Sequence, residues 1–487
     1  MNPGGIFDHM VSLHRIALPI LILLSLLGCG RNETKEPVSV AVNPTFFKIP
    51  SGGEVQLSTD VSGTLNQEVS WEVSGPSGSS ISSIGLFRAP LNAGGKTASI
   101  RAISQDNPAA VGNGAVSMTS FSKLAGETVP AGSDQITLGG FTVRTGQTID
   151  LNGDGILDLL SGSPSGNLVT AFLGVGNGLF RKQAEISVNQ PIAVAVGDFI
   201  NTSEFVADIA IASRTDGNVQ MISGKFGPSQ NPLPTTVAMT LPLSGKIPSA
   251  LASGRFHGAV ESQNSDLAVG TDDGSIVLLL QDRLSGVFSP QSPVDLGGKP
   301  TRIITADFNR DNFLDMAVLR EGATDTLILL GDGNGRFAAP ISTPFPSPPT
   351  SIAIGDFNDD QIPDLAATHA GMNQISISFG NGNGTFGLPR FHAVESAPAS
   401  IAAGDFNLGG KTDIVVTLPD SNAVLFLFGD GSGAFIGKFR SDVAAPPLAL
   451  ISGFFSGFQS PQGFQNIGFI YLNGTENRFY LLNNLSS

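Results

Sequence analysis

The sequence predicts an all-β protein, an N-terminal β-sandwich followed by a seven-bladed β-propeller, on three observations. The 487 residues include 60 glycines and 31 prolines but only 14% charged side chains, and the apolar positions fall in short runs between turn formers. No stretch carries the long apolar stripe of an amphipathic helix. An Asp-rich motif recurs at a spacing of roughly fifty residues over the last two-thirds of the chain, the period of a strand-rich blade.

Taken in order, residues 1–28 read as a leader. Arg15 precedes the apolar run Ile16 to Leu27, too short for an ordinary membrane span, and the run ends in Leu26-Leu27-Gly28-Cys29. These residues resemble a bacterial lipoprotein signal, which implies cleavage before Cys29, the chain's one cysteine, and a lipid on it. Gly30, where retention signals carry Asp, implies by the same resemblance the outer membrane of a bacterial cell envelope. Asp8 is unusual ahead of such a run, and Met10 offers an alternative start. Residues 29–36 are polar and aperiodic, a tether.

Residues 37–120 hold short strands separated by Gly, Pro, Ser and Asn, the length of one β-sandwich. Val69-Ser70-Trp71-Glu72-Val73, followed by Gly85-Leu86-Phe87-Arg88-Ala89-Pro90, resembles bacterial Ig-like domains, with Phe87 where Tyr is usual. Trp71 is expected in the core and not on a glycan. Residues 121–133 (Phe121 to Gly132 above all) read as a linker, and residues 134–487 as the propeller.

The clearest repeat is Ser351 to Leu365. Asp356, Asn358, Asp360 and Asp364 stand at alternate positions of a short strand-to-strand loop, with Ile362 placed to offer its carbonyl. A hard cation takes oxygen ligands, and such alternation wraps one within a few residues. Asp307, Asn309, Asp311, Phe313 and Asp315 repeat the pattern, as do Asp150, Asn152, Asp154, Ile156 and Asp158. Loop starts fall at Asp150, Asp198, Arg255, Asp307, Asp356, Asp405 and Phe454, which makes seven repeats. Gly331 to Phe337, Gly380 to Phe386, Gly429 to Phe435 and, more loosely, Gly174 to Phe180 add a glycine turn that closes on Phe.

Together these motifs resemble the FG-GAP/VCBS repeat family, the integrin-type β-propeller, and the resemblance implies calcium in the three full loops and a role in adhesion or recognition. Repeats two, three and seven depart from the ligand spacing: Asn201 and Glu204 are off register, Arg255 and Phe454 replace the first Asp, and Asn466 the last. Repeat six keeps Asp405, Asn407 and Asp413 but has Gly409 and Lys411 between them, so Lys411 is expected to replace part of a cation beside Asp405 and Asp413. The last repeat ends after three strands, and Asp134 to Leu138 is expected to supply its fourth and close the ring.

A formal charge of −15 removes the basic field a nucleic-acid partner needs. His257, His369 and His392 stand in no metalloprotease or thiol arrangement and are expected in loops or at the surface. The reading is therefore a binding protein for a protein or glycan, attached to the membrane through Cys29, with Ca2+ as a structural ion and no catalytic residue. An enzyme acting on polysaccharide through carboxylates at the propeller centre is the alternative, and a purely structural envelope protein a third.

Overall fold

A computed structural model describes residues 37–124, 128–129, 151, 158–163, 166–174, 180–200, 207–224, 235–258, 265–282, 284–369, 371–453, 466–473 and 476–485. The leader and tether lie outside the described residues, as do the loop residues Asp150, Asn152, Asp154 and Ile156, the pair Asn201 and Glu204, Phe454, and Asp134 to Leu138. Among the described residues the fold is all-β, with one 3-10 turn at Pro419–Ser421 and no α-helix.

In the N-terminal region, Lys96–Ser104 pairs with Val69–Ser74 on one side and Val111–Leu124 on the other, and Phe46–Pro50 runs parallel to Val111–Leu124. Glu54–Gln56, Leu86–Arg88 and Ser80–Ile81 form a second set. Apolar residues of both sets meet in one core with Ile49, Val55, Phe87, Ile100 and Val116 fully buried, and Trp71 packs half-buried against it.

This region is joined to the repeats at two sheet edges. Glu54–Gln56 pairs antiparallel with Phe435–Asp442, the outer strand of repeat six, which extends that sheet to seven strands. Ser120 to Leu124 pair with Leu485 to Leu481, and Thr128–Val129 with Arg478 and Asn477. One core runs across the junction: Phe406, Phe426 and Phe428 of repeat six are in the same cluster as Phe87 and Ile49.

The sequence reading of a linker from residue 121 is thereby corrected for Phe121 to Leu124, which continue a strand. Repeat seven ends on Glu476–Leu485 with a row of main-chain groups to satisfy, and the strand leaving the N-terminal region satisfies them. That edge is taken by Ser120 to Leu124 and Thr128–Val129, while the strand expected from Asp134 to Leu138 falls outside the described residues.

The repeats are up-and-down antiparallel sheets in chain order. Repeat four comprises Pro300–Ala306, Asp315–Arg320, Asp325–Leu329 and Ile341–Pro344; repeat five Pro349–Gly355, Asp364–His369, Gln374–Ser378 and Arg390–Ala393. Repeat six opens with Ile401–Gly404 and Asp413–Leu418. The second strands of repeats two to six are buried on both faces, as in Asp266–Thr271 and Asp413–Leu418, because each sheet is covered by a neighbour. First strands of successive sheets pack side by side, as Pro191–Gly197 does on Pro248–Gly254, so they form the inner layer.

The glycine turns lock neighbours together. The N–H of Gly335 donates to the carbonyl of Phe256 at 2.9 Å, and that of Gly384 to Phe308 at 3.2 Å. A Cβ on Gly335 would stand 2.3 Å from Leu280, which together with φ of 75° makes glycine necessary there. The closing Phe337 and Phe386 meet Phe256 and Phe308 of the preceding repeat edge to face, at 5.8 and 5.7 Å.

Candidate calcium loops and the carboxylates beneath them

The loops of repeats four and five fold alike. The Asp311 N–H points at Asp307 Oδ1 (3.0 Å) and Asn309 Oδ1 (3.2 Å), so both oxygens lie on one side of the chain. Asp307 Oδ2 accepts from the Asn312 N–H, Asp311 Oδ1 from the Phe313 N–H, and Asp311 Oδ2 from the Asn309 side-chain amide. Asp356, Asn358, Asp360, Gln361 and Ile362 reproduce each bond within 0.1 Å. Arg310, Asn312, Asp359 and Gln361 all have φ between 63° and 70°, a costly left-handed conformation for side chains of this size.

Asp315 and Asp364 sit beneath these loops and do something else. Asp315 is fully buried; its Oδ2 accepts from the Phe308 N–H and its Oδ1 from the Gly331 N–H, which ties the first strand's end to the third's. Asp364 bridges Phe357 and Gly380 in the same way. The clamp recurs in repeat one, where Asp158 bridges Leu151 and Gly174, and also where the loop motif has decayed: Asp208 bridges Phe199 and Gly224, Asp266 bridges Phe256 and Gln281, and Asp413 bridges Phe406 and Gly429. The sequence carries a signal for the clamp, since Asp208, Asp266 and Asp413 survive in repeats whose other ligand positions changed, but in a motif such an aspartate looks the same as a cation ligand.

Burial raises Asp208, Asp315, Asp364 and Asp413. Asp315 and Asp364 are each pushed up to about 6, by burial first and then by the neighbouring loop carboxylates, against the lowering effect of their two N–H donors. Asp413 is raised further in the same sense. Asp198 rises to about 6 through burial and the nearby Asp208.

The donors fit a hard cation in chemistry and spacing: carboxylate, amide and main-chain oxygens on one strained turn. Among the described residues no three His, Cys, Asp or Glu side chains close up on a single point. A cation in these loops would therefore depend on Asn309 or Asn358 and a main-chain carbonyl as well as on acids.

Repeat six differs. Asp405 accepts from the Gly409 and Gly410 N–H groups, but Asn407 is buried and gives its amide to the carbonyl of Lys48 in the N-terminal region, at 2.9 Å. Lys411 does not turn to Asp405 or Asp413; it pairs with Asp359 of repeat five. The expectation for Lys411 is corrected accordingly: the Asp413 oxygens are already engaged by main-chain N–H groups, while Asp359 stands exposed across the sheet gap.

His257 lies in a loop as expected, while His369 and His392 depart from expectation by standing in strands. His369 is fully buried with its Nε2 2.7 Å from Ser376 Oγ, and burial lowers its pKa. His257 places Nδ1 2.8 Å from the Asp266 clamp. His392 is half-buried with its pKa lowered by burial and lies 4.8 Å from Phe435, beside a cavity of about 410 Å³ at the junction of the two regions. Glu54, Gln56, Phe391 and Lys438 are among the residues that line it, and Glu54 and Lys438 are paired neighbours on adjoining strands. Phe391 keeps 42% of its surface exposed there.

Residues 307–367 and 356–416 match the FG-GAP-like repeat family. No curated protein matches the chain. Among solved structures, BBS1N, crystallised in complex with ARL6DN, aligns over 74% of this chain and 97% of its own, at 15% identity and a TM-score of 0.50. The Dos1 propeller aligns over 68% and 77% at 13% identity and a TM-score of 0.42. An Agrocybe aegerita protein described as recognising non-reducing terminal N-acetylglucosamine aligns over 72% and 85% at 15% identity and a TM-score of 0.44. The chain thus carries FG-GAP-like repeats on a propeller-type all-β fold.

Proposed function

We propose that this chain is a lipid-anchored protein of the bacterial cell envelope, an Ig-like domain and a seven-bladed calcium-stabilised propeller that together bind a protein or glycan partner. The observation that carries the calcium part is the acidic turn built twice with the same bonds, in repeats four and five. Asp307, Asn309, Asp311 and the Phe313 carbonyl would hold one ion above the Asp315 clamp; Asp356, Asn358, Asp360 and the Ile362 carbonyl a second above Asp364. Asp150, Asn152, Asp154 and the Ile156 carbonyl would hold a third above Asp158, by likeness of sequence.

Bound calcium supplies positive charge to a turn whose carboxylates otherwise face one another. The chain's own part is to fix the turn: left-handed residues curl it, and the clamp below anchors it to the third strand. Recognition is supported by the cavity at the junction, since domain junctions are where ligand pockets concentrate and Phe391 offers an exposed ring beside polar groups. A similar fold, BBS1N, is crystallised with a protein partner. Lipidation at Cys29 would place both regions outside the cytoplasm, and Gly30 after it would direct them to the outer membrane.

Affinity capture from envelope extract tests this reading, with the wild-type chain, the chain in EGTA, and Phe391→Ala as baits. A partner retained by the first and lost from the third supports it. Equal retention on all three baits overturns the recognition site, and mass spectrometry showing an unmodified Cys29 overturns the anchor.

A further inference from the structure

At one position of the inner layer, the repeats share a backbone irregularity and differ in side chain. The register of the first strand slips between Pro191 and Ala193, Pro248 and Ala250, Pro300 and Arg302, Pro349 and Ser351, and Pro447 and Ala449. The second residue of each pair is therefore structurally equivalent, and four of the five are Ala or Ser. Small residues let neighbouring inner strands approach; Ala193, Ala250 and Ser351 are all buried. Arg302 breaks the series with a long cation.

Its surroundings give that cation little. The Arg302 Nη1 donates to Ser351 Oγ of the next repeat at 2.9 Å, and among the described residues no carboxylate pairs with it. Ser351 is itself 2% exposed, so it fixes the direction of the guanidinium and leaves the rest of the planar donor fork unused. The side chain is exposed to solvent, yet desolvation by surrounding protein holds its pKa below the ordinary arginine value. Both are true of a group in a water-filled enclosure, and the inner strands line the one that runs along the axis of a propeller. An enclosed cation without an anion is costly, and such a cost is retained where something is bound.

We propose that Arg302, oriented by Ser351, binds the carboxylate of an acidic ligand that enters the axial passage between the inner strands of repeats four and five. A planar guanidinium matches a carboxylate with two parallel N–H donors, which a lysine cannot do. The site is independent of calcium, and it stands whether or not the junction cavity binds a partner.

Calorimetry on the full chain in EGTA tests it, with D-glucuronate and N-acetylglutamate as carboxylate probes and glucose as the neutral control. The preference between the two acids tells a sugar acid from an acidic peptide as the source. One saturable site for a carboxylate is expected, absent with glucose, with affinity lowered at least tenfold in Arg302→Met and less in Arg302→Lys. Without ligand, Arg302→Met should melt no lower than wild type. Heats for both acids that equal those for glucose overturn the proposal, as does undiminished binding by Arg302→Met. A marked fall in the melting temperature of unliganded Arg302→Met also overturns it, because Arg302 would then be holding two repeats together.

Discussion

In repeat five, Asn358 gives its side-chain amide to Asp360 of its own loop; in repeat six, the equivalent Asn407 is buried and gives it to Lys48, more than three hundred residues earlier in the chain. Phe406, next to Asn407, belongs to the N-terminal core, whereas Phe357 packs only among repeat residues. Gly409 replaces the third donor, and a Cβ there would lie 2.7 Å from Asn407 Oδ1. The residues of repeat six that depart from the bonding of the repeat-five loop thus include one, Asn407, whose side-chain amide bonds the N-terminal region instead of its own loop.

Both loops keep the clamp, so the first way to break the comparison is to remove it. Asp364→Ala leaves the Phe357 and Gly380 N–H groups buried without acceptors, and Asp413→Ala does the same to Phe406, Asn407 and Gly429. Each orphaned donor costs about 1–3 kcal/mol, so either variant should lose roughly 3 kcal/mol or more in urea denaturation. A loss at Asp413 at least as large as that at Asp364 is expected. A loss at Asp364 alone would mean that the clamp matters only beneath a metal loop.

Calcium should separate the two loops next. Saturating calcium adds about 2.7 kcal/mol per site at a hundredfold excess over Kd. Calorimetry of wild type against Asp154→Ala, Asp311→Ala and Asp360→Ala should show one site lost in each variant and none lost in Asp405→Ala. A wild type that binds no calcium, or an Asp405→Ala that loses a site like the others, would remove the distinction.

How far the sequence carried is visible in these same residues. The alternation of Asp and Asn, the closing Phe and the glycine turns are local patterns with a local geometric cause, so they could be read one residue at a time. The docking of Asn407 on Lys48 and the pairing of Ser120 to Leu124 with the C-terminal strand join distant segments, and nothing in either local sequence marks the partner. The clamp was hidden for a third reason: an aspartate that accepts two N–H groups and one that binds a cation look the same in a motif.

The docking contact itself should be worth less than a clamp. Asn407→Ala orphans the Lys48 carbonyl and is expected to cost about 1–2 kcal/mol, whereas Asn358→Ala in EGTA should cost about 0.5 kcal/mol or less, since its partner is exposed. Hydrogen exchange of Phe46–Pro50 should quicken in the first variant only. Exchange unchanged in Asn407→Ala would show that the shared core alone holds the junction.

Repeat two, which has the clamp without the motif, gives a pH test free of metal. Asp198 is raised to about 6 from an ordinary 3.8, so its contribution favours the fold fully below about pH 4 and is lost as pH rises through about 6. Melting temperatures of wild type and Asp198→Asn should therefore converge towards pH 4 and separate in the variant's favour by pH 7. Parallel curves would mean that Asp198 titrates normally.

The smallest effect discriminates between two accounts of Lys411. Placed in a loop that lacks one acid, a lysine suggests a tethered substitute for calcium, and on that account it would couple to Asp405. The structure pairs it with Asp359, across the gap to the preceding repeat, with both side chains more than a third exposed. Such pairs contribute about 0.2–1 kcal/mol and weaken with salt. Its aliphatic stem also covers Gly431, where a Cβ would come within 2.9 Å of Cδ, so Lys411→Ala alone mixes packing with charge. Two double-mutant cycles, with Lys411→Met to preserve the stem, separate them. Coupling of about 0.5 kcal/mol is expected with Asp359→Asn, falling towards zero in 1 M salt, and none with Asp405→Asn. The reverse pattern would return Lys411 to its own loop and make repeat six a charge-neutralised copy of its neighbours instead of a docking site.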